Sequence, residues 1–285
     1  MTPTLENRVE AVLKVPVTSV ATLDGGMIGS VHRVELADGR TVVAKTGDTP
    51  LTVEAFMLRH LGNESYLPVP DVYHADDDLL LLEFVRGTTE HSPAVARDAA
   101  DRLASLHRVT GPAFGFERDT LTGPVRQPNP WTDSWVEFFG THRLAHLRRV
   151  ASETLSTRTI QRLESVQADL DHLLEEPPAP SLIHGDVWRT NVLSDDETVR
   201  AFLDPATYYA HPEVELAYVD WTDTFGSAFF ERYRKRRGIE DGFYETRRFV
   251  YRLYPLLVHV HLFGGEYLDE LAETLDRLGY YGQNR

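Results

Sequence analysis

The chain of 285 residues contains no cysteine. It can therefore form no disulfide, no cysteine-ligated zinc site and no thiol nucleophile. With 42% hydrophobic and 26% charged residues, it has the composition of an ordinary globular protein. Its length suits one large domain or two closely joined lobes, each stabilised by a hydrophobic core without covalent cross-links.

Positive charge is also scarce. Lysine and arginine number 29 against 44 aspartates and glutamates, which gives a formal net charge of -15. Such a chain repels a phosphate backbone unless its cations are strongly segregated. We therefore expect no nucleic-acid partner, and an acidic chain is better suited to a cationic small molecule.

Long apolar segments are missing as well. Charged residues or histidines interrupt the two longest candidates, around 79–85 and 254–263, and neither approaches the ~20 residues of a membrane helix. Residues 1–10 carry charges of both signs instead of a basic segment followed by an apolar one, so we expect no secretory signal. These observations predict a cytoplasmic protein without a membrane partner, and they leave its oligomeric state open.

The N-terminal third of the chain predicts β-strands. Residues 31–36 and 41–45 flank Asp38-Gly39, a strong hairpin signal because glycine tolerates positive φ. Alternation along the second strand places Val43 and Lys45 on the same face. Two further elements are predicted: a helix over 52–61 with Gly62 as its stop, and a buried strand over 79–85.

Beyond Gly87 the apolar pattern becomes helical. Ser92-Pro93 has the chemistry of a helix start, and apolar residues at intervals of three or four predict a helix over 156–174. A last helical region begins at Arg247. We therefore predict an α+β chain with an N-terminal lobe over 1–86, a short connection, and a larger helical lobe over 87–285.

The segment with the most chemical information begins at His184-Gly185-Asp186, after a β-prone start, and Asn191 follows. Residues 192–193 and 199–203 flank a polar turn and predict a hairpin, whose strands lie about 5 Å apart. This hairpin returns Asp204 to the side of Asn191. Two carboxylates and a carboxamide then supply oxygen ligands for Mg²⁺ and one carboxylate to accept a proton, as phosphoryl transfer requires.

A cation for a nucleotide triphosphate is available in the first lobe. Lys45 follows the predicted hairpin, and Glu54 lies on the next predicted helix, where it could hold the ammonium. Upstream, Gly25 and Gly26 allow backbone amides to approach phosphate oxygens, although the loop lacks the P-loop pattern. Taken in isolation, the glycines could form a plain turn and Lys45 could be a solvated lysine on a strand. The order of glycine loop, lysine, glutamate, aspartate, asparagine and aspartate is nevertheless that of a two-lobed kinase.

Longer stretches around these residues resemble one family. They are HGDVWRTNVL at 184–193, FLDPATYYAHPEVELA at 202–217, YRLYPLL at 251–257 and LFGG at 262–265. They resemble the fructosamine kinases, also called ketosamine-3-kinases, a branch of the aminoglycoside phosphotransferase and choline kinase-like group. The resemblance implies a protein-kinase-like two-lobed fold, with an antiparallel β N-lobe, a mainly helical C-lobe, and ATP between them.

The resemblance also implies roles for individual residues. Asp186 would be the catalytic base, while Asn191 and Asp204 would hold Mg²⁺. ATP would be bound by the glycine loop, the ion pair and the backbone that follows the buried strand: Gly25, Gly26, Met27, Lys45, Glu54, Glu83, Phe84 and Val85. Three residues are expected to touch the substrate or support the catalytic loop: His184, Trp188 and Glu215. Trp188 packs either on a sugar or on neighbouring chain, two interpretations that the sequence leaves open.

The implied reaction is transfer of the ATP γ-phosphoryl group to the 3-hydroxyl of a ketosamine, a fructosamine or ribulosamine adduct that is free or protein-bound. Breakdown of the product would then cause deglycation. Arg189-Thr190 replaces the family's usual Ser-Gly, which could alter substrate choice. The alternatives are an aminoglycoside or choline-type acceptor, or a nucleotide-binding pseudokinase. The last is disfavoured because the lysine, both aspartates and the asparagine of the predicted site are all present.

Overall fold

The computed structural model describes residues 3–23, 29–47 and 49–281, and these form two lobes. The first lobe comprises α1 (Leu5–Leu13), β1 (Val17–Thr22), β2 (Ser30–Leu36), β3 (Thr41–Thr46), α2 (Leu51–Glu64), β4 (Val72–Ala75) and β5 (Leu80–Glu83). Its strands form an antiparallel sheet in the order β1-β2-β3-β5-β4. The predicted hairpin between β2 and β3 is therefore confirmed.

Alternation along β3 divides its side chains between two small cores. Val42 and Ala44 are fully buried beside Val9 of α1. Val43 contacts the cluster that α2 forms with β5, on the opposite face. Because Lys45 shares its face with Val43, the strand directs the lysine toward α2.

Helix α2 continues to Glu64, so the predicted stop at Gly62 was wrong. One glycine inside a helix costs only about 1 kcal/mol relative to alanine, and buried side chains such as Ala55 and Leu58 hold this helix against the sheet. The helix ends at Ser65, whose hydroxyl donates to the Leu61 carbonyl oxygen at 2.6 Å. Tertiary packing thus outweighs a local stop signal.

The second lobe is mainly helical, with short antiparallel strand pairs. Its first elements are α3 (Pro93–Leu106), β6 (Thr120–Thr122), β7 (Val125–Gln127), α4 (Trp135–Phe138), a π-helical segment (Phe139–Ala145), α5 (His146–Val150), α6 (Thr157–Ala168) and α7 (Leu170–Leu173). Helix α3 begins as predicted, with the Ser92 hydroxyl accepting the Val95 N–H at 3.3 Å. The single helix predicted over 156–174 was wrong, because Asp169 breaks it in two and accepts a hydrogen bond from the Tyr280 hydroxyl at 2.7 Å.

The remaining elements include the segment predicted to be catalytic, residues 184–191, and much of the large hydrophobic core. They are β8 (Ser181–Ile183), a 3₁₀ turn (Arg189–Asn191), β9 (Val192–Ser194), β10 (Val199–Phe202), β11 (Tyr208–Ala210), α8 (Glu213–Trp221), α9 (Ser227–Arg236), a π-helical segment (Phe243–Arg247), α10 (Arg248–Phe263) and α11 (Glu266–Arg277). Strands β9 and β10 pair antiparallel, which confirms the predicted hairpin. In the described part of the chain, no helix is both long and apolar enough to cross a membrane.

The two lobes share a hydrophobic core. Met57 and Leu61 of α2 belong to the same buried cluster as residues of the helical lobe. A backbone hydrogen bond from Phe202 N–H to the Pro68 carbonyl at 2.8 Å also joins the lobes. The fold is α+β and protein-kinase-like, as expected, while the division at residue 86 stays a prediction. The shared core holds α2 against the strands that carry the predicted catalytic residues.

Candidate active site

The segment predicted to be catalytic, residues 184–191, is positioned by two strands from distant parts of the sequence. Strand β8 pairs antiparallel with β11, so the residues after β8 lie against those before β11. Gly185 has φ +88°, and a Cβ at this position would lie 2.3 Å from the Ala206 carbonyl oxygen. Only glycine fits this approach. The Ala206 N–H donates to the His184 carbonyl at 2.9 Å, which fixes the two segments together.

Asp186, Asn191 and Asp204 converge as predicted. The Asn191 amide nitrogen donates to Asp186 Oδ2 at 2.9 Å and to the Asp186 carbonyl at 3.1 Å. The Leu203 N–H donates to the Asn191 carbonyl at 2.8 Å, which places Asp204 next to the asparagine. Asp204 adopts φ +53°, a left-handed conformation that is uncommon outside glycine but more accessible to aspartate than to most residues.

Lys45 crosses from the first lobe to this cluster. Its ammonium donates to Glu54 Oε1 at 2.7 Å and also to Asp204 Oδ1. Burial opposes ionisation of the lysine, but the two carboxylates outweigh it and raise its pKa. Burial likewise opposes ionisation of Asp204, and the ammonium outweighs it and lowers the pKa of that carboxyl. The lysine and both carboxylates of this contact are therefore held in one ion cluster, in which burial raises the pKa of Glu54 to about 6.

Among the described residues, no lysine or arginine pairs with Asp186 as Lys45 does with Glu54 and Asp204. Burial raises the pKa of its carboxyl to about 7, and the nearby charge of Asp204 adds to the shift. The Tyr218 hydroxyl and the Asn191 amide act in the opposite direction without cancelling it. A carboxyl with this pKa can take and release a proton at neutral pH, which is what a general base requires.

The Glu215 side chain holds the predicted catalytic loop by accepting a hydrogen bond from the backbone of the loop. The Gly185 N–H donates to Glu215 Oε1 at 2.6 Å, and the other carboxylate oxygen lies 2.8 Å from His107 Nε2. His107 Nδ1 lies 2.6 Å from the Tyr233 hydroxyl. Burial opposes ionisation of Glu215, but the hydrogen bond from His107 outweighs it and lowers the pKa. This buried network connects α3, α8 and α9 to the residue before Asp186.

His184 is fully buried behind the same loop. Its Nδ1 accepts the Asp186 N–H at 3.3 Å, and its ring packs on Phe202 with centroids 5.8 Å apart. Trp188 is half-buried and lines the cavity in front of the loop. The structure therefore places His184 where it supports the loop and Trp188 where a ligand could contact it.

A cavity of about 780 Å³ joins these residues. Seven of the predicted residues line it: Lys45, Glu54, Asp186, Trp188, Asn191, Asp204 and Glu215. The loop between β6 and β7 closes one side, and residues of α8, α10 and α11 form another. Pattern analysis missed Tyr218 and Trp221, which line the cavity from α8. A signal was available, because Tyr218 follows Glu215 by three positions and therefore lies on the same helix face.

The predicted ATP-binding loop and adenine site are only partly described. Gly25, Gly26 and Met27 lie outside the described residues. Gly29, at the end of that loop, has φ +81°, and a Cβ there would lie 2.3 Å from the Thr46 carbonyl oxygen. The chain therefore needs glycine where the loop enters β2, because its backbone there lies against the end of β3.

Glu83, Phe84 and Val85 are not among the described residues that line the cavity. The Glu83 N–H donates to the Asp71 carbonyl at 2.8 Å, so this amide is already used within the sheet. The Arg33 guanidinium lies over the Phe84 ring at 5.1 Å. A contact of this segment with adenine stays a prediction.

The donor set fits a magnesium ion. Asn191 uses its amide nitrogen to bind Asp186, which leaves its amide oxygen as a ligand, and Asp204 is half exposed toward the cavity with carboxylate oxygens. Mg²⁺ prefers a few such oxygen ligands and keeps several waters. In the described residues, no cluster of three or more histidines or carboxylates forms a complete metal cage. The arrangement is therefore suited to a metal that is shared with a phosphate-bearing ligand.

The chain matches one protein family over nearly its whole length. The family model for fructosamine kinase matches residues 2–279. A probable ketoamine kinase of Synechocystis sp. is 36% identical over 68% of this chain, and the match spans 64% of that protein. The chloroplastic protein-ribulosamine 3-kinase of Arabidopsis thaliana is 29% identical over 91% of this chain and 82% of its own length.

Solved structures give the same result. A Thermobifida fusca protein assigned as a fructosamine-3-kinase superposes with a TM-score of 0.86 at 30% identity, over 96% of this chain and 98% of that one. The aminoglycoside phosphotransferase APH(4)-Ia superposes with a TM-score of 0.71 at 17% identity, over 99% of this chain and 100% of that one, and so shares the fold. The chain belongs to the fructosamine kinase family.

Proposed function

We propose that this chain transfers the γ-phosphoryl group of ATP to the 3-hydroxyl of a ketosamine. One observation carries the proposal: Lys45, Asp186, Asn191 and Asp204 line a single cavity, in a chain of the fructosamine kinase family. An inactive nucleotide-binding relative would be expected to lack at least one of these four residues, and this chain has all of them around one cavity. We accordingly favour an enzyme over a binding protein.

Asp186 is the general base of the proposed reaction. Its carboxylate accepts the proton of the acceptor hydroxyl as that oxygen attacks the γ-phosphorus, and the bond from phosphorus to the bridging oxygen breaks to release ADP. The hydrogen bond from Asn191 holds one carboxylate oxygen in place. Glu215 positions the loop by accepting the Gly185 N–H, so the carboxylate of Asp186 enters the reaction from a fixed backbone.

The remaining charged residues bind the nucleotide. Lys45, held by Glu54, donates to phosphate oxygens in place of its present contact with Asp204. Asn191 and Asp204 would hold Mg²⁺, which when bound neutralises charge on the phosphates. The left-handed conformation of Asp204 keeps its carboxylate beside Asn191 before any ligand arrives.

The product of this reaction would lead to deglycation. A ketosamine 3-phosphate is unstable: phosphate is eliminated from C3, and water hydrolyses the resulting imine to the free amine and a dicarbonyl. The acceptor is a fructosamine or ribulosamine, either as a small molecule or on a protein.

A coupled ADP-release assay tests the proposal. Fructosyl-lysine, ribulosyl-lysine, kanamycin and choline are compared as acceptors, with Asp186→Asn as the inactive control. We expect one or both ketosamines to stimulate turnover well above the ATPase background. Turnover with kanamycin or choline alone would reject the ketosamine assignment, and tight binding of Mg-ATP without transfer to any acceptor would favour a pseudokinase.

A further inference from the structure

The cavity has an aromatic end that the proposed chemistry does not use. Five rings from three helices line it: Tyr218 and Trp221 of α8, His259 and Phe263 of α10, and Tyr267 of α11. We call this set the aromatic wall. His259 and Phe263 are four positions apart and therefore share a helix face. Adjacent ring centroids lie 4.8 to 5.9 Å apart, from Tyr218 to Trp221, His259, Tyr267 and Phe263 in turn.

The wall carries negative charge and no positive charge of its own. Glu266 lines the cavity, and Glu270 accepts a hydrogen bond from the Trp221 indole N–H. His259 donates from Nδ1 to the Pro255 carbonyl at 2.8 Å, and burial lowers its pKa, which disfavours a positive charge on its ring. Among the described lining residues, Lys45 is the single lysine or arginine, and it is bound to Glu54 and Asp204. The ring faces and the carboxylate at the aromatic end therefore favour a positively charged ligand.

The wall begins beside the general base. Tyr218 and Asp186 line the same cavity, and the Tyr218 and Trp221 ring centroids are 5.9 Å apart. At its far end, Phe263 is 50% exposed to solvent. A ligand that presents a hydroxyl to Asp186 can therefore extend along the wall and out of the cavity.

We propose that the aromatic wall binds the protonated amine of the acceptor and the carbon chain attached to it, and thereby selects amine-bearing sugars. This inference rests on the proposed function. In a ketosamine the amine is attached to C1, separated from C3 only by C2, so a 3-hydroxyl at Asp186 places the amine near Tyr218 and Trp221. The ring faces and the carboxylate of Glu266 attract the ammonium, and the rings cover the alkyl chain.

A neutral sugar gains none of this attraction. Cation–π contacts with desolvated rings are stronger than those at exposed sites, and a carboxylate beside the rings adds to the preference for positive charge. The open end at Phe263 and Glu266 lets the carrier of the amine remain in solvent. The wall thus contacts the amine and the first few atoms of its substituent, and the rest of the molecule that carries the amine stays outside the cavity.

Two matched acceptors test the wall. They are 1-propylamino-1-deoxyfructose, which is cationic, and 1-propionamido-1-deoxyfructose, a neutral amide of similar size. The preference is the ratio of their kcat/KM values, measured in wild type, Trp221→Leu and Glu266→Gln. Trp131→Leu is the control, because Trp131 is 43% exposed and is not among the lining residues.

We expect wild type and Trp131→Leu to prefer the amine. Trp221→Leu should lower this preference about tenfold, through a higher KM for the amine with the KM for ATP unchanged. The exposed Glu266→Gln should lower it about threefold, and this variant keeps the test decisive if Trp221→Leu folds poorly. An unchanged preference in both variants, or equal use of amine and amide by wild type, overturns the wall and leaves the proposed function standing.

A wild-type enzyme that phosphorylates neither of these sugars nor their ribulose counterparts overturns the proposed function instead. The wall is then judged by calorimetric titration with the same two sugars in the presence of Mg-ADP. Binding of the amine that is weakened by Trp221→Leu, with little binding of the amide, supports the wall. Equal binding of both sugars rejects it.

Discussion

Two carboxylates lie next to Gly185, that of Glu215 on its N–H and that of Asp186 on the following residue, and they differ in what surrounds them. Glu215 is satisfied by the Gly185 N–H and by His107, and these partners lower its pKa although it is fully buried. Burial and the nearby like charge of Asp204 raise the pKa of Asp186 to about 7, although the Asn191 amide donates a hydrogen bond that opposes the shift. Burial alone therefore does not decide the protonation of a carboxyl.

This difference separates a positioning role from a catalytic one. A carboxylate with complete hydrogen bonds stabilises the fold and stays ionised, whereas one without a cation is costly to ionise and ready to accept a proton. We expect carboxylate-to-carboxamide substitutions at the two sites to have opposite effects on stability and unequal effects on turnover.

The largest expected effect is that of Asp186→Asn on turnover. The carboxamide keeps the shape of the side chain but cannot accept the hydroxyl proton, so kcat should fall on the order of 10²-fold or more. Binding of the nucleotide should change little, because Asn191 and Asp204 remain. Steady-state kinetics with a ketosamine and equilibrium binding of Mg-ADP measure the two quantities.

The control is Asp196→Asn, an exposed aspartate on the turn between β9 and β10. This variant should retain wild-type turnover. If Asp186→Asn also retained it, the assignment of the general base would be wrong.

Asp204→Asn should have the next largest effect. The substitution removes a charged metal ligand and one partner of Lys45. The Mg²⁺ concentration needed for half-maximal activity should therefore rise about tenfold or more, because even residues that only support metal ligands change metal affinity by 10- to 100-fold. A magnesium titration of ADP release measures this directly. An unchanged magnesium requirement with reduced turnover would show that Asp204 does not hold the metal.

Thermal stability sharpens the comparison. Glu215→Gln removes the charge from a buried network, which should lower the free energy of unfolding by about 1–3 kcal/mol and the Tm by several degrees. Asp186→Asn removes a carboxyl whose ionised form is disfavoured in the folded state, so its Tm at pH 7 should rise. Differential scanning calorimetry of both variants measures the signs, and a fall in Tm for both would contradict the contrast between the two sites.

The smallest expected effect concerns pH and a group away from the cavity. Burial lowers the pKa of His211 from 6.5 to about 3, and its Nδ1 accepts the Glu213 N–H at 3.1 Å. The unfolded chain binds a proton below pH 6.5 that the folded chain does not, so the stability supplied by neutral His211 is present above pH 6.5 and is lost as the pH falls. Between pH 7 and 5 this amounts to about 2 kcal/mol.

The measurement is urea unfolding at pH 7 and pH 5, for wild type and His211→Asn. The loss of stability between the two pH values should be smaller in the variant. The comparison of slopes is needed because Asp186, with its raised pKa, changes stability in the opposite direction over the same range. If wild type and His211→Asn lost the same free energy of unfolding between pH 7 and pH 5, His211 would not contribute to the pH dependence of stability.

Much of the site could be predicted because its signals are local. Asp186 and Asn191 belong to one segment, and Asp204 follows a hairpin that turn residues and strand patterns indicate. The pairing of Lys45 with Glu54 also follows from strand alternation and the next helix. These features depend on a few residues in sequence, where backbone geometry limits the possibilities.

Contacts between distant segments could not be predicted in this way. The pairing of β8 with β11 and the contact of His107 with Glu215 join segments through the tertiary fold. The prediction that α2 ends at Gly62 was also wrong, because packing of the helix's apolar face outweighs the local effect of one glycine. The aromatic wall combines three helices, and its residues look like ordinary core positions until the helices are placed together.

The most direct test of the account is ³¹P NMR of the product formed from fructosyl-lysine and ATP by the wild-type protein and by Asp186→Asn. We predict a phosphomonoester signal coupled to the proton on C3 with wild type, and almost none with the variant at the same protein concentration. A phosphate on another hydroxyl, or equal product from both proteins, would contradict the central claim that Asp186 activates the 3-hydroxyl of a ketosamine.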